Sequence, residues 1–257
     1  MSGMKLVRGI GVPLIAVVVF LLFWEWLVWF NGWPTFKMAA PSDLPPAFER
    51  HWGLFVTMGW QTLWRTVLGL LLAVVFGTLL GMIMGFSRLM RDALYPLLVG
   101  FNAVPKATVV PIVALMFVGQ HDFNTVLLAF MISFFPIAVS VSIGLSTLEP
   151  EYRDILRSLG ASQATIFWKI ALPKTLPEFF GALKVAVTLA FIGTNLMEIV
   201  SPHGRGLGAL FDSGRTNSDF PLMFAVLIAL AVLGIVLYYI VVALEKIFAG
   251  WAERAPG

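Results

Sequence analysis

The chain has 257 residues, of which 59% are hydrophobic and only 12% are charged, and its mean hydropathy of +0.91 excludes an ordinary soluble domain. The formal net charge of +3 is scattered over many segments and gives no reason to expect nucleic-acid binding, and the absence of cysteine excludes disulfides and thiolate metal sites. The composition therefore predicts an all-α membrane protein that is surrounded by lipid instead of water.

Six apolar stretches are long enough to cross a bilayer and predict six transmembrane helices. They cover residues 10–30, 62–86, 93–118, 124–146, 178–200 and 220–244. Lys5 and Arg8 precede the first stretch, as in a signal peptide. That stretch is longer than a usual signal core and contains three tryptophans near its end, so we interpret it as a retained span.

Lysine and arginine are distributed unevenly over the two sides of the predicted bundle. Eleven fall on the side of the N-terminus and five, among them Arg65, on the opposite side, while Lys106 belongs to neither. Because cytoplasmic segments are enriched in Lys and Arg, both termini and the loop at 149–177 are predicted to be cytoplasmic. The side of the termini is called the inner side below, and the opposite side the outer side.

The second apolar stretch carries Gly or Ala at every fourth position. These positions are Gly69, Ala73, Gly77, Gly81 and Gly85. On a helix they form a smooth stripe, which predicts close packing of another helix and no chemistry. The preceding residues 47–64 mix tryptophans with polar residues, which predicts an interfacial helix that leads into this span.

The third stretch is interrupted by three prolines and contains Asn102 and Lys106. A lysine at mid-depth costs about 2.5–3.5 kcal/mol on insertion scales, so it is expected to face a cavity or a partner. In one interpretation Lys106 lies in a solute path, where it attracts an anion or pairs with Glu198. In the other it is a structural pair or a lysine that reaches the interface. Asn102 and Lys106 are therefore candidate residues of a path.

The fifth stretch adds two further candidates for the path, Asn195 and Glu198, near its outer end. Three glycines follow between residues 204 and 208 and predict a tight outer turn. For Glu198 we favour the alternative that it is an interfacial carboxylate facing water. His203 alone does not make a metal site.

The longest polar run between two apolar stretches covers residues 149–177. Its first part has apolar residues at the spacing of one helix face, namely Tyr152, Ile155, Leu156 and Leu159. Gly160 follows where a left-handed helix end is expected, and Ser162 can cap a second short helix that Pro173 and Pro177 end or kink. Such a loop is suited to dock into a partner outside the bilayer; the alternative is an amphipathic segment on the inner membrane surface.

This loop resembles the cytoplasmic signature of binding-protein-dependent ABC importer permeases, which reads Glu-Ala-Ala, three residues, Gly, nine residues, Ile-x-Leu-Pro. Gly160, Ile170, Leu172 and Pro173 match its second half at every defined position. Residues 154–156, Asp-Ile-Leu, replace Glu-Ala-Ala, which keeps a charge and enlarges the apolar face. The resemblance covers roughly residues 60–245 and is closest to the nitrate/sulfonate/taurine-type branch.

The resemblance implies a type I importer fold with an N-terminal helix and external segment (1–59), a permease core (60–245) and a cytoplasmic tail (246–257). It implies a homodimer in the bacterial inner membrane, two cytoplasmic ATPase subunits that hold ATP and magnesium, and a periplasmic or lipid-anchored substrate-binding protein. The residues implied to couple to the ATPase are Glu151, Tyr152, Asp154, Ile155, Leu156, Arg157, Leu159, Gly160, Ala161, Ile170, Leu172 and Pro173.

Several chemistries are missing from the sequence. No phosphate-binding Gly-x-x-x-x-Gly-Lys-Ser/Thr motif is present, so the chain is expected to need no cofactor and to hydrolyse no ATP itself. An ion-coupled secondary transporter is the main alternative, but it would need intramembrane carboxylates, and the available Glu25 and Glu198 both lie near span ends. A structural membrane subunit is another. The solute stays open among nitrate, sulfonates, bicarbonate and heterocyclic vitamin precursors, with Lys106 leaning towards an anionic or electron-rich one.

Overall fold

The computed structural model describes residues 11–146, 155, 157–201 and 204–251, and in these residues the regular elements are helices. The predicted all-α class is therefore confirmed. The longer helices are α1 (Val12–Phe30), α2 (Leu44–Phe86), α3 (Arg88–Ala103), α4 (Lys106–Met116), α5 (His121–Ser146), α6 (Leu172–Val200), α7 (Leu207–Thr216) and α8 (Phe220–Phe248). A short helix, Gln163–Ile166, continues through a π-helical segment, Phe167–Ala171, into α6.

The described residues account for four or five of the six predicted membrane-spanning helices. Within the described residues four helical segments are long and apolar enough to cross a membrane, and a fifth if the bent pair α3–α4 counts as one span. The third predicted span is thus broken, with α3 and α4 at 90° to each other. Val104 and Pro105 have extended backbone angles at the break, where proline supplies no N–H to continue the helix. Helix α1, whose described apolar part is Ile15–Phe30, corresponds to the first predicted span.

Helix α2 is much longer than the predicted second span. It has 43 residues, which form two helical parts joined at a kink, and the longer part after His51 alone exceeds the hydrocarbon thickness of a bilayer, at about 1.5 Å per residue against about 30 Å. The helix predicted for residues 47–64 leads directly into the span, because both belong to α2, which is kinked at His51 (φ −115°, ψ 15°). The helix also continues through residues 59 and 60, where the sequence analysis set a domain boundary.

The stripe of small residues on α2 packs against α5, as predicted. A Cβ atom at Gly69 would lie 2.5 Å from the Cβ of Ala129, and one at Gly81 would lie 2.7 Å from the carbonyl oxygen of Ala138. Gly193 of α6 approaches Ala129 from another side: a Cβ atom at Gly193 would lie 3.0 Å from the Cα atom of Ala129. Helices α2, α5 and α6 therefore meet with almost no side-chain volume between them, and they form the centre of the bundle.

The remaining helices pack around this centre. Helix α8 contacts α6 through Leu237 and Val241, and Lys184 of α6 forms an ion pair of 2.8 Å with Glu245 of α8. Helices α3 and α4 pack on the other side, against α5. At the outer side α1 meets α8 where the rings of Trp24 and Phe224 lie 5.2 Å apart. This arrangement leaves one face of α3, α5 and α6 without a covering helix from the described part of the chain.

Candidate functional site

A buried ion network joins three helices at the outer side. Arg65 of α2 is 1% exposed and lies between Asp122 at the start of α5 and Glu198 near the end of α6. Its Nη2 is 2.5 Å from Oδ1 of Asp122, and its Nη1 is 3.1 Å from Oε1 of Glu198. Glu198 is fully buried, whereas Asp122 is 61% exposed on its other side. We call Thr62, Arg65, Asp122 and Glu198, together with residues 204–208, the outer network.

The turn at 204–208 wraps around the carboxylate of Glu198. The N–H of Gly208 donates to Oε2 at 3.0 Å, the hydroxyl of Thr62 donates to the same oxygen at 2.8 Å, and Thr62 accepts from the N–H of Leu207 at 2.9 Å. Gly206 has φ +132°, and a Cβ there would overlap the carboxyl group of Glu198. Only glycine allows the backbone this close to the carboxylate.

The same turn is bonded to α2 and α5 through the backbone of Arg205. The carbonyl oxygen of Arg205 accepts from the guanidinium of Arg65, and the N–H of Arg205 lies 3.1 Å from Nε2 of His121. A buried ion pair is a weak source of net stability, but breaking one costs about 3–5 kcal/mol, because the remaining charge has no partner. The outer network therefore fixes the relative positions of α2, α5, α6 and the turn.

Glu198 is not the water-facing carboxylate that the sequence analysis favoured. Its side chain is fully buried because Arg65 and the donors of Thr62 and Gly208 replace water around it. The suggested pair with Lys106 is also absent from this structure. Asn195, one turn before Glu198, donates to the carbonyl oxygen of Phe191 at 2.7 Å and lies under the turn near Gly208.

Lys106 has a local structural contact instead of an acidic partner. Its Nζ donates to the carbonyl oxygen of Val104 at 3.1 Å and to those of Phe101 and Asn102, at the end of α3. Carbonyl groups at the C-terminal end of a helix lack the N–H of a following turn, and a cation is favourable beside them. Lys106 thus closes the helix end at the 90° bend, which is a role that neither sequence interpretation included.

A groove of about 510 Å³ lies on the uncovered face of α3, α5 and α6. It is lined by Asn102, Phe135, Pro136, Val139, Ser140, Ile143, Glu178, Val185 and Leu189. Ser140 of α5 donates to the backbone carbonyl oxygen of Glu178 at 2.8 Å, which holds the two walls together. Of the four predicted path residues, the structure brings Asn102 to this groove and Asn195 and Glu198 to the outer side.

The inner loop between α5 and α6 is described in part. Gly160 has φ +83°, the left-handed backbone that its position predicted, and nothing lies within 4 Å of its would-be Cβ. Ile155 is 56% exposed and Leu159 is 77% exposed. The hydroxyl of Ser162 accepts from the N–H of Thr165 at 3.2 Å, as expected of a cap. Glu151, Tyr152, Asp154 and Leu156 lie outside the described residues.

The second half of the loop does not end at its prolines. Ile170 lies in the π-helical segment, and Leu172 and Pro173 are the first residues of α6, so the chain continues without a break into the span. Pro173 is tolerated because it lies in the first turn, and the wider π-helical turn precedes it. Arg157 lies three residues before Gly160, and Ala161 follows it directly.

The comparison with protein families decides the identity of the chain. Residues 73–249, more than half of its length, match the model of the family described as the binding-protein-dependent transport system inner membrane component. The chain belongs to this family. The resemblance inferred from the signature loop is thereby confirmed, and the protein is a multi-pass membrane permease component of an ABC importer.

Individual relatives agree with this assignment over nearly the whole permease. This chain is 29% identical to the formylaminopyrimidine transport permease protein ThiX of Halalkalibacterium halodurans, over 94% of this chain and 96% of the relative. It is 28% identical to the taurine transport system permease protein TauC of Escherichia coli, over 93% of this chain and 88% of the relative, which confirms the predicted branch. A chain of the MetNI methionine ABC transporter, solved in inward facing conformations, has the same fold with a TM-score of 0.63, 19% identity and coverage of 77% of this chain and 96% of that chain.

Thr62, Arg65 and Asp122 are not among the site residues predicted from the sequence. Arg65 was counted among the outer charges, although it lies three residues inside the predicted second span. An arginine there is costly against lipid, which is a usable signal that it has a buried partner. In the described part of the permease no group of three or more His, Asp or Glu side chains is arranged to hold a metal ion.

Proposed function

We propose that the permease forms the path of a small solute through the membrane and is moved by two cytoplasmic ATPase subunits that dock on its inner loop. The observation that carries the coupling is the exposure of Ile155 and Leu159, an apolar pair beside Gly160 in a polar loop between two spans. Exposed apolar residues that neighbour each other on a short helix favour a protein partner. Glu151, Tyr152, Asp154 and Leu156 belong to the same proposed contact.

Helix α6 supplies the mechanical link in this proposal. The loop continues through Ile170, Leu172 and Pro173 into α6, and the far end of the same helix carries Glu198. A push on the loop would therefore move α6 as a rod and load the outer network at its other end. Rigid-body motion of helices between two packed arrangements is a common form of switching. Release of Glu198 from Arg65 would let the turn at 204–208 move and open the outer side.

The wider assembly follows from the family and completes the proposal. The permease pairs with a second copy of itself and receives its solute from an external binding protein. It has no cofactor or ATP site of its own, because ATP and magnesium are bound by the ATPase subunits. Both termini and the inner loop face the cytoplasm, in agreement with the excess of lysine and arginine on that side. Two of the counted residues lie within helices: Lys184 was assigned to the inner side and Arg65 to the outer side. Leaving out both keeps the excess of lysine and arginine on the inner side.

The solute is proposed only as a class at this stage. The relatives named above transport a formylaminopyrimidine and taurine, two chemically different solutes. Nitrate, sulfonates, bicarbonate and heterocyclic vitamin precursors therefore stay candidates. A thermal-shift screen of the co-purified binding protein against these solutes would identify the one that is delivered.

Purification of the permease from its own cells tests the proposed coupling. We expect an ATPase to co-purify and its ATP hydrolysis in liposomes to be stimulated by the loaded binding protein. Uptake that follows an ion gradient without ATP, in a permease free of any ATPase, would instead support an ion-coupled secondary transporter. Co-purification without any solute flux would support a structural subunit.

A further inference from the structure

The groove on α3, α5 and α6 carries two polar side chains that have no function in the outer network or in the inner loop. Glu178 projects from α6 six residues after its start, and Asn102 lies near the end of α3, beside the bend. Both are exposed in the single chain. Around them the wall is apolar, with Phe135, Val139 and Val185.

Lipid is an unfavourable surrounding for this groove, since a carboxylate and an amide are both costly there. Polar side chains within transmembrane segments instead face a bundle interior or a water-filled passage. The outer end of α6 is closed by the outer network, whereas the groove runs along α6 from Glu178 near its inner end to Leu189 just past its middle. The groove therefore has the position and the mixed lining of a passage that is open towards the inner side.

The charged side chain in the lining of the groove is acidic. Glu178 is the one ionisable side chain among its described lining residues, and its carboxylate has no hydrogen bond or ion pair within the described part of the chain. Lys106 is not among the lining residues: its ammonium group donates to the carbonyl oxygens of Phe101 and Val104 at the bend and keeps its charge there. Lys184 lies on α6 as well, but it pairs with Glu245 of α8, away from the groove.

We propose that this groove is the inner part of the solute path and that Glu178 makes it selective for a cationic or neutral solute with N–H or O–H donors over an anion. The inference rests on the proposed function, because it needs a solute path in this chain. Glu178 and the amide oxygen of Asn102 accept hydrogen bonds from such a solute, while the apolar wall contacts its body. This reverses the expectation from Lys106 of an anionic or electron-rich solute.

The absence of cysteine in the permease allows a direct test of the groove. Ser140→Cys places a single thiol of nearly the same size on its wall, next to the backbone of Glu178. Full-length permease in membrane vesicles is treated with two water-soluble methanethiosulfonates, one with a trimethylammonium group and one with a sulfonate group. We expect both to modify the introduced thiol, with the cationic reagent faster by about tenfold after correction for intrinsic reactivity, since a unit charge a few Å away changes each local concentration by roughly threefold in water.

The second variant adds Glu178→Gln to Ser140→Cys. We expect the ratio of the two rates to fall to about one, because the amide keeps the size of the side chain and removes its charge. The ratio is independent of any change in the reactivity of the thiol itself. Val139→Cys repeats the measurement at a neighbouring groove position if Ser140→Cys lowers the yield of folded protein. Val75→Cys, exposed on α2 away from the groove, is the lipid-facing control and is expected to react with neither reagent.

Two results would overturn the inference. Equal rates for the two reagents in the protein that retains Glu178, or a ratio that survives Glu178→Gln, would show that Glu178 does not select by charge. If neither Ser140→Cys nor Val139→Cys reacted with either reagent, water would not reach the groove, and the groove would not be a solute path. Either result can occur while an ATPase still co-purifies and uptake still depends on ATP, so the proposed function would stand without it.

Discussion

The two ends of α6 carry the same type of residue in opposite surroundings. Glu198 at the outer end is fully buried, and Arg65, Thr62 and the N–H of Gly208 satisfy its carboxylate. Glu178 at the inner end is exposed in a groove, and its carboxylate has no partner within the described residues. The outer carboxylate therefore holds helices together, whereas the inner one is available to something that is not part of the chain. One continuous helix thus joins a closed end to an open one.

The strongest way to break this contrast is to remove the cation of the outer network. Arg65→Met keeps a long side chain but leaves Glu198 buried without a counter-charge. We expect the free energy of unfolding to fall by about 3–5 kcal/mol, measured by SDS-induced unfolding of the purified permease in detergent micelles. Arg215→Met is the control, because the pair of Arg215 with Asp212 is largely exposed and such pairs contribute about 0–1 kcal/mol. Equal losses in the two variants would contradict a stabilising outer network.

The glycine that lets the turn approach Glu198 gives the next largest effect. Gly206→Ala adds a Cβ that overlaps the carboxyl group of Glu198, at a residue with φ +132°, so the turn or the carboxylate must move. We expect a loss of about 1–3 kcal/mol in the free energy of unfolding by the same measurement. Gly100→Ala in α3, where nothing lies within 4 Å, serves as the matched control and should change stability by less than about 1 kcal/mol. If both alanines behaved alike, the close approach at Gly206 would be unimportant.

At the inner end the expected effect is on coupling and hardly on stability. Gly160→Leu must hold φ near +83° with a bulky side chain, whereas Gly160→Asn adopts this backbone more readily. Because nothing surrounds the residue, we expect either variant to lose less than about 1 kcal/mol of stability. Gly160→Leu should nevertheless abolish ATP-dependent uptake and stimulated ATP hydrolysis, while Gly160→Asn should retain most of both. Normal uptake by the leucine variant would rule out a coupling role for this turn.

The features that the sequence predicted are those whose signals lie close together in the chain. The four-residue spacing from Gly69 to Gly85 determines one helix face by itself, so its packing on α5 followed directly. The left-handed backbone of Gly160 and the cap by Ser162 are likewise local. The signature loop led to the correct family because its matching residues are fixed in spacing.

The outer network could not be read from the sequence, since its members are far apart. Arg65 is 57 positions from Asp122 and 133 from Glu198, and only the packing of α2, α5 and α6 brings them together. The 90° bend was equally hidden: Pro105 indicates a break but gives no angle. From the sequence, Lys106 was interpreted as a charge within the membrane. In the structure its nearest acceptors are carbonyl oxygens at the end of the preceding helix, which are accessible to it because the chain bends there.

The smallest stability effect should come from the inner carboxylate. Glu178→Gln removes a charge that has no partner in the described residues, so we expect the free energy of unfolding to change by less than about 0.5 kcal/mol. The same substitution at Glu198 should cost more, about 1–3 kcal/mol, because Arg65 and two further donors lose a buried carboxylate. The two variants differ only in which end of α6 they alter, and SDS-induced unfolding in micelles compares them directly. A large loss from Glu178→Gln would mean that the inner end is held by its own charge contact, and the contrast between the two ends would then disappear.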